Sequence, residues 1–213
     1  MDYYAKEKEE KGMIIGITGS SGSGKSTVCK ILEKEYKVKI INADKIAKKL
    51  SKKGTSYIQD IIDAFGKDIV DEEGELKRKK LAEIIYSDAE KREKLNSCTF
   101  KYIVEEIKKQ INKVQEDTTV IIDAPLLFEA KLDKICDTVI GVISKRELQL
   151  DRMVARDNID YEQAEKRLAS QKNNAFYQEK CDIIIKNGTN MKILEDRIKE
   201  ISEKLKMQSK REV

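Results

Sequence analysis

The chain reads as an α/β protein of the doubly wound type, and three observations predict it. Five short apolar runs, Met13–Ile17, Val38–Ile41, Thr119–Ile122, Thr138–Ile143 and Ile183–Ile185, are rich in Ile and Val and do not alternate with polar residues. Strands buried on both faces, as in a parallel sheet, have that composition. The segments between them carry apolar residues at helical spacing, and alternating strands and helices build a sheet flanked by helices. Finally, a glycine-rich stretch lies directly between the first run and a helical segment.

That stretch, Gly19-Ser20-Ser21-Gly22-Ser23-Gly24-Lys25-Ser26-Thr27, matches G-x-x-x-x-G-K-[ST], the P-loop. Ile14–Ile17 supplies the strand before it. Thr27–Tyr36 supplies the helix after it, with Val28, Ile31 and Leu32 inward. Glycines let the backbone turn tightly and aim several N–H groups at one point, where the helix N-terminus adds partial positive charge. Ser21, Gly22, Ser23, Gly24, Lys25, Ser26 and Thr27 are therefore candidate phosphate ligands. Lys25 is expected to reach the β- and γ-phosphates and the Ser26 hydroxyl to bind Mg²⁺. The loop alone specifies a nucleoside triphosphate and leaves GTPases, ATPases and small-molecule kinases open.

The second run ends in Asn42-Ala43-Asp44. A carboxylate just beyond a parallel strand can take a proton from an attacking hydroxyl or hold it in line. Asp44 reads equally well as the N-cap of a helix over Lys45–Leu50. The long gap before the third run looks wholly helical and predicts a helical insertion over the sheet edge. Within it Phe100, Ile103, Val104, Ile107, Ile111 and Val114 share one helical face. The third run is followed by Asp123, the Walker-B pattern that orders Mg²⁺ or its waters, with an ordinary strand-end acid as the alternative.

Between the fourth and fifth runs, Lys145 to Phe176 is helical and highly charged. Gln149, Arg152 and Arg156 share a face, and Arg167 and Gln171 are spaced i, i+4. Arginines there either neutralise charge on a transferring phosphoryl group or form a solvated face with Asp151, Asp157 and Glu162. Met191, Leu194, Ile198, Ile201 and Leu205 predict a last helix docked on its own domain or on a partner.

Composition removes whole classes of chemistry. The 213 residues contain no histidine, which excludes Ser-His-Asp and Cys-His catalysis, a histidine general base and histidine-ligated zinc or haem. Lysine and arginine exceed the acids by only 4, so the chain is not a strongly basic nucleic-acid-binding domain. Cys29, Cys98, Cys136 and Cys181 form no C-x-x-C pair and read as reduced thiols. No apolar run approaches the roughly 18 residues needed to span a bilayer, and residues 1–12 lack the apolar core of a signal peptide. A cytoplasmic protein with no membrane and no nucleic-acid partner is expected.

Several stretches together resemble the dephospho-coenzyme A kinase family over Met13 to about Leu205. Ile15-Gly16-Ile17-Thr18-Gly19 leads into the P-loop, and Asn42-Ala43-Asp44 looks like the family's Asp-Ala-Asp. Gly74-Glu75-Leu76-Lys77-Arg78 with Leu81 looks like its G-x-L-x-R-x-x-L segment. Asp123-Ala124-Pro125-Leu126-Leu127-Phe128-Glu129 is the most specific piece and holds the chain's only proline. Gln149-Leu150-Asp151-Arg152 with Arg156, Arg167 with Gln171, and Asp182 to Gly188 complete it in order.

The resemblance implies a P-loop kinase-like, three-layer fold with a five-stranded parallel sheet, a helical acceptor domain and a helical lid. It implies a nucleotide-binding core at 13–49, 118–144 and 177–205, an acceptor domain at 50–117 and a lid at 145–176, with 1–12 and 206–213 as solvated tails. The implied reaction moves a phosphoryl group from ATP, with Mg²⁺, to the ribose 3′-hydroxyl of dephospho-CoA. In that reading Asp44, Lys25 and Arg152 are catalytic. Arg156, Asn187 and Gly188 contact ATP, the last two beside adenine, and Ser26 and Asp123 hold the metal. A monomer or weak homo-oligomer is expected.

Three departures from the family pattern stand out. Ser20 and Ser21 replace a glycine and a bulkier apolar residue, and Asn42 replaces an acid. Asn96-Ser97-Cys98-Thr99-Phe100 stands where the family often carries His-Pro. The rival readings are another small-molecule kinase, for a nucleoside, nucleotide or shikimate-type acceptor, and a non-catalytic nucleotide-binding module.

Overall fold

A computed structural model describes residues 12–52, 54–86, 88–207 and 209–210. The first twelve residues, expected as a tail, lie outside the described residues except for Gly12. All five apolar runs are strands: β1 (Ile14–Thr18), β2 (Val38–Asn42), β3 (Thr119–Asp123), β4 (Thr138–Ile143) and β5 (Ile183–Lys186). They form one parallel sheet in the order β2-β3-β1-β4-β5. In register, Ile17 stands beside Asp123 on one side and Ile140 on the other, and Ile143 pairs with Lys186. The central strand is β1, and the chain leaves its carboxyl end into the glycine-rich loop, so that loop emerges mid-sheet.

Burial explains why these runs do not alternate. Ile15, Ile17, Ile121, Ile122 and Ile140 are all sealed from solvent. Each fully buried isoleucine contributes on the order of 1.5–3 kcal/mol relative to exposure. Gly16 is where β1 has no room. A Cβ there would meet Leu127 Cδ1 at 2.6 Å and Cys136 Sγ at 2.9 Å. Two aspartates finish the sheet at its amino end. Asp137 accepts the Ile14 N–H at 2.7 Å, and Asp182 accepts that of Val139 at 2.8 Å.

The chain divides into two compact units. The first, 1–41, 114–127 and 131–213, holds the sheet. On it pack α1 (Lys25–Glu35) and α9 (Met191–Lys204), burying Val28, Cys29, Leu32, Leu194 and Ile198 in one cluster with the strands. The same unit carries α6 (Arg146–Asp157), α7 (Tyr161–Ala169) and α8 (Asn174–Lys180), the segment expected as a lid. Helices α6 and α7 close on a small core of their own, Leu150, Met153, Ala164 and Leu168. The C-terminal stretch corrects the sequence reading. Instead of a solvated tail from 206, Met207 joins the main cluster and Ser209 bridges Tyr36. Lys210 donates its N–H to the Glu35 carbonyl at 2.9 Å. Helix α9 likewise docks on its own unit.

The second unit, 42–113 and 128–130, contains α2 (Ala43–Leu50), α3 (Ser56–Phe65), α4 (Arg78–Tyr86) and α5 (Ala89–Ile111). Tyr57, Ile58, Ile61, Ile69 and Leu81 form its core. It is not wholly helical, because Val70 and Leu76 form an antiparallel bridge around a turn held by the Asp71 carboxylate. Helix α5 runs unbroken through Asn96–Phe100. With no proline there, every backbone N–H stays available to the helix. Thr99 donates to the Leu95 carbonyl at 2.7 Å and pairs with the Tyr57 hydroxyl at 3.2 Å.

Candidate active site

The loop after β1 owes its shape to glycines and to side chains that reach it from elsewhere. Gly22 and Gly24 have φ of 72° and 91°, the left-handed region that side chains disfavour. Neither has room for a Cβ. At Gly22 it would collide with the backbone of Gln149 in α6, and at Gly24 with the carboxamide of Asn187. Gly24 is the N-cap of α1, so Lys25 and Ser26 head that helix, where N–H groups lack intrahelical carbonyls.

Each residue from Ser20 to Ser23 is gripped. Gln149 Nε2 donates to Ser20 Oγ at 2.6 Å and to the Ser21 carbonyl at 3.2 Å. Gln171 accepts the Ser21 N–H at 2.8 Å and donates to Ser21 Oγ at 3.0 Å. Arg152 Nη1 donates to the Gly22 carbonyl at 3.0 Å, and Asn187 Nδ2 to the Ser23 carbonyl at 2.9 Å. With those carbonyls tied, the loop's N–H groups are left for an anion. Ser21, Ser23 and Thr27 are exceptions among the candidate ligands, since their N–H groups already go to Gln171, to the Ser20 carbonyl and to the Gly24 carbonyl. Lys25 lies along the loop, donating to the Gly19 carbonyl at 2.5 Å.

Arg152 does more than its place on a charged helix suggested. Besides Gly22 it bonds Ser144 Oγ at 3.2 Å and the Gly188 carbonyl at 2.7 Å. Ser144 in turn donates to the Asn187 carbonyl at 2.7 Å. The carboxyl ends of β4 and β5 are thereby tied to the loop after β1. Beside them lies a cleft of about 760 Å³ whose walls include Asn187, Gly188, Thr189, Leu148 and Ile193. That volume is in the range of small-molecule sites. Ile193 is 64% exposed there, an apolar surface a flat base can cover. Sequence reasoning missed Ser144. Its one signal was its position, directly after a buried run at a carboxyl end, as Asp123 is after the apolar run Thr119–Ile122.

Arg156 and Arg167 take the bland alternative. Both turn to Asp157, at 2.8 Å and 3.4 Å. The Arg156 hydrogen bonds hold the Asp157 carboxyl below the ordinary carboxylate range. Glu162, another of the expected partners, pairs with Lys166.

Asp123, 9% exposed, ends β3, and Ser26 is exposed in the first turn of α1. Cys29, one turn beyond Lys25, records its surroundings. Burial first and the charge of Asp123 second push its thiol up to about 12, with Lys25 opposing. Both charges therefore act at this inner face of α1. Carboxylate and hydroxyl oxygens suit a small hard cation such as Mg²⁺. Ser23 Oγ, buried inside the loop without a hydrogen-bond partner, fits a bound anion.

The N-cap alternative for Asp44 is overturned. Helix α2 begins at Ala43, and the cap is Asn42, whose Oδ1 accepts the Lys45 N–H at 2.8 Å. Asp44 stands in the first turn with its side chain exposed. Asn and Asp cap helices equally well, which accounts for Asn42 where the related motif has an acid.

A parallel sheet in this order, with a P-loop at its central strand and a helical pair above it, defines a P-loop kinase. The family model for dephospho-CoA kinase matches residues 13–192. A Fusobacterium nucleatum dephospho-CoA kinase is 45% identical over 190 residues, covering 89% of this chain and 95% of that protein. One from Listeria innocua is 37% identical over 182 residues, 84% of this chain and 90% of its own. The solved Campylobacter jejuni dephospho-CoA kinase superimposes with a TM-score of 0.66 at 28% identity, over 90% of this chain and 96% of its own. The chain belongs to the dephospho-CoA kinase family. TT1252 from Thermus thermophilus, with a TM-score of 0.78 at 24% identity and 92% and 98% coverage, shares the fold.

Proposed function

We propose that this protein transfers the γ-phosphoryl group of ATP to the ribose 3′-hydroxyl of dephospho-CoA, giving CoA and ADP, the last step of coenzyme A synthesis. The observation that carries the proposal is the braced P-loop with Lys25 at its head, in a chain of this family. ATP would lay its phosphates on Gly22, Ser23, Gly24, Lys25, Ser26 and Thr27. Its base would enter the cleft at Asn187, Gly188 and Ile193.

Lys25 clamps the β- and γ-phosphates, and Arg152 adds positive charge where the transferring group becomes most anionic. Arg156 would reach the nucleotide only by leaving Asp157. Asp44 aligns the 3′-hydroxyl and accepts its proton. Ser26 and Asp123 would hold Mg²⁺, which neutralises phosphate charge when bound. Among the described residues no cluster of three or more His, Cys, Asp or Glu is gathered for a metal. A cation held by one carboxylate, one hydroxyl and substrate phosphates needs no such cluster. Residues 50–117 supply much of the acceptor site, with Asn96-Ser97-Cys98-Thr99-Phe100 where the related pattern often has His-Pro. Among the described residues no helix is long and apolar enough to cross a membrane. A cytoplasmic protein, a monomer or weak homo-oligomer, completes the proposal.

The test is ADP release from ATP and Mg²⁺ with dephospho-CoA, AMP, adenosine or shikimate as acceptor and Lys25→Ala as the blank. Turnover confined to dephospho-CoA supports the reading. Turnover only with another acceptor transfers the assignment to a different small-molecule kinase. ATP binding without any turnover leaves a binding module.

A further inference from the structure

We propose that Gln149 and Gln171 are positioning residues for phosphoryl transfer, acting on the phosphate loop through Ser20 and Ser21 without touching the nucleotide. The inference rests on the P-loop reading and goes beyond it, because these glutamines lie far from the loop in sequence and outside its motif.

The geometry is specific. Gln149 is 4% exposed, so its carboxamide must find partners inside the protein. Its two N–H bonds are divided between Ser20 Oγ and the Ser21 carbonyl. Gln171 takes Ser21 from another direction with both ends of its amide, oxygen to the N–H and nitrogen to the hydroxyl. The α6 backbone presses on the loop at Gly22, where even a methyl group would collide with Gln149. Two amides from separate places, one in α6 and one after α7, therefore fix two consecutive loop residues.

The chemical consequence follows from how a P-loop works. Its catalysis is positioning, so the direction of its N–H groups is the active quantity. A serine at either position, without an amide to hold it, leaves the loop freer to rotate its peptides. Here Ser20 and Ser21, which depart from the related pattern, are the hydroxyls that the glutamines engage. The serines and glutamines thus form one unit that sets the loop.

The experiment is a double-mutant cycle on the full chain with Ser20→Gly, Gln149→Met and the pair, and Gln171→Ala beside them. ATP–Mg²⁺ affinity is measured by calorimetry without acceptor, followed by kcat and both KM values. Losing a buried side-chain hydrogen bond predicts about tenfold weaker ATP binding for Gln149→Met and somewhat less for Ser20→Gly. The double variant should resemble Gln149→Met alone, since the two act through one contact. Gln171→Ala should weaken ATP binding in the same sense, and KM for dephospho-CoA should stay unchanged in every variant. Multiplicative effects in the cycle, unchanged ATP affinity, or equal losses for ATP and dephospho-CoA would overturn the proposal. If Gln149→Met does not fold, Ser20→Gly and the half-exposed Gln171→Ala still decide it, and unchanged ATP affinity in both rejects it. Failure of the kinase reading looks different: the wild type turns over no dephospho-CoA, while the calorimetric cycle keeps its meaning.

Discussion

Asp44 shows what a single residue can and cannot reveal. From spacing alone the carboxylate was equally a helix cap or a proton acceptor, because aspartate serves both. The structure assigns the cap to Asn42 and leaves the Asp44 side chain exposed, with its structural alternative gone. Asp44→Asn keeps the shape and removes the charge. It is expected to lower kcat by about 10²- to 10⁴-fold, the usual contribution of a positioned proton acceptor. ATP affinity should stay nearly the same, since Lys25 and the loop belong to the other compact unit. Rapid-quench turnover together with ATP titration checks both halves, and full turnover in the variant would remove Asp44 from the mechanism. The P-loop residues were legible because their spacing is itself the mechanism. Arg152 was legible as a candidate, but its bonds to Gly22, Ser144 and Gly188 were not. Contacts made across the fold, here to residues 130, 8 and 36 positions away, leave no periodicity in the segments that make them.

At the scale of the element, strands were the most readable features. A run buried on both faces shows its burial directly in composition, and all five runs are strands within a residue or so of their expected ends. Helix starts were less readable, as α1 begins two residues before Thr27 and α2 two before the Lys45 start that an Asp44 cap implied. Their first turns are set by caps, Gly24 and Asn42, rather than by an apolar face. The cap on α2 gives a prediction. Asn42→Ala should cost about 1 kcal/mol of stability through the lost hydrogen bond to Lys45 N–H, whereas Asn42→Asp should cost almost nothing. If Asn42 serves only as a cap, Asn42→Asp also keeps kcat. Urea midpoints for the three proteins test the first statement and steady-state rates the second. A drop in kcat for Asn42→Asp at unchanged stability would give that position a chemical role. The helical insertion was legible as helix but not in detail. The bridge between Val70 and Leu76 rests on a local turn at Asp71–Gly74 that a helical reading passes over, and the docking of Met207 and Ser209 depends on partners that no local pattern announces.

At the scale of the whole molecule, chemistry and architecture divide along the same line. The loop, Lys25, Arg152, Asn187 and the cleft beside Ile193 all belong to the unit that carries the sheet. Asp44 and residues 50–113 belong to the helical unit. A ligand stabilises whatever binds it by an amount set by its concentration relative to Kd, about 2.7 kcal/mol at a hundredfold excess. For a domain of this general size that corresponds to a rise in Tm on the order of 5–10 °C. ATP with Mg²⁺ alone is therefore expected to raise the melting of the sheet unit, and Lys25→Ala should abolish the rise. Calorimetric scans distinguish two behaviours of the helical unit. If the units melt separately, ATP moves only the transition of the sheet unit and dephospho-CoA is needed to move the other. If they melt together, ATP raises a single transition and dephospho-CoA raises it again. An ATP-induced rise that survives Lys25→Ala would place the nucleotide outside the loop. A rise confined to the helical unit would contradict the division of labour drawn from the fold, since no P-loop residue lies in that unit.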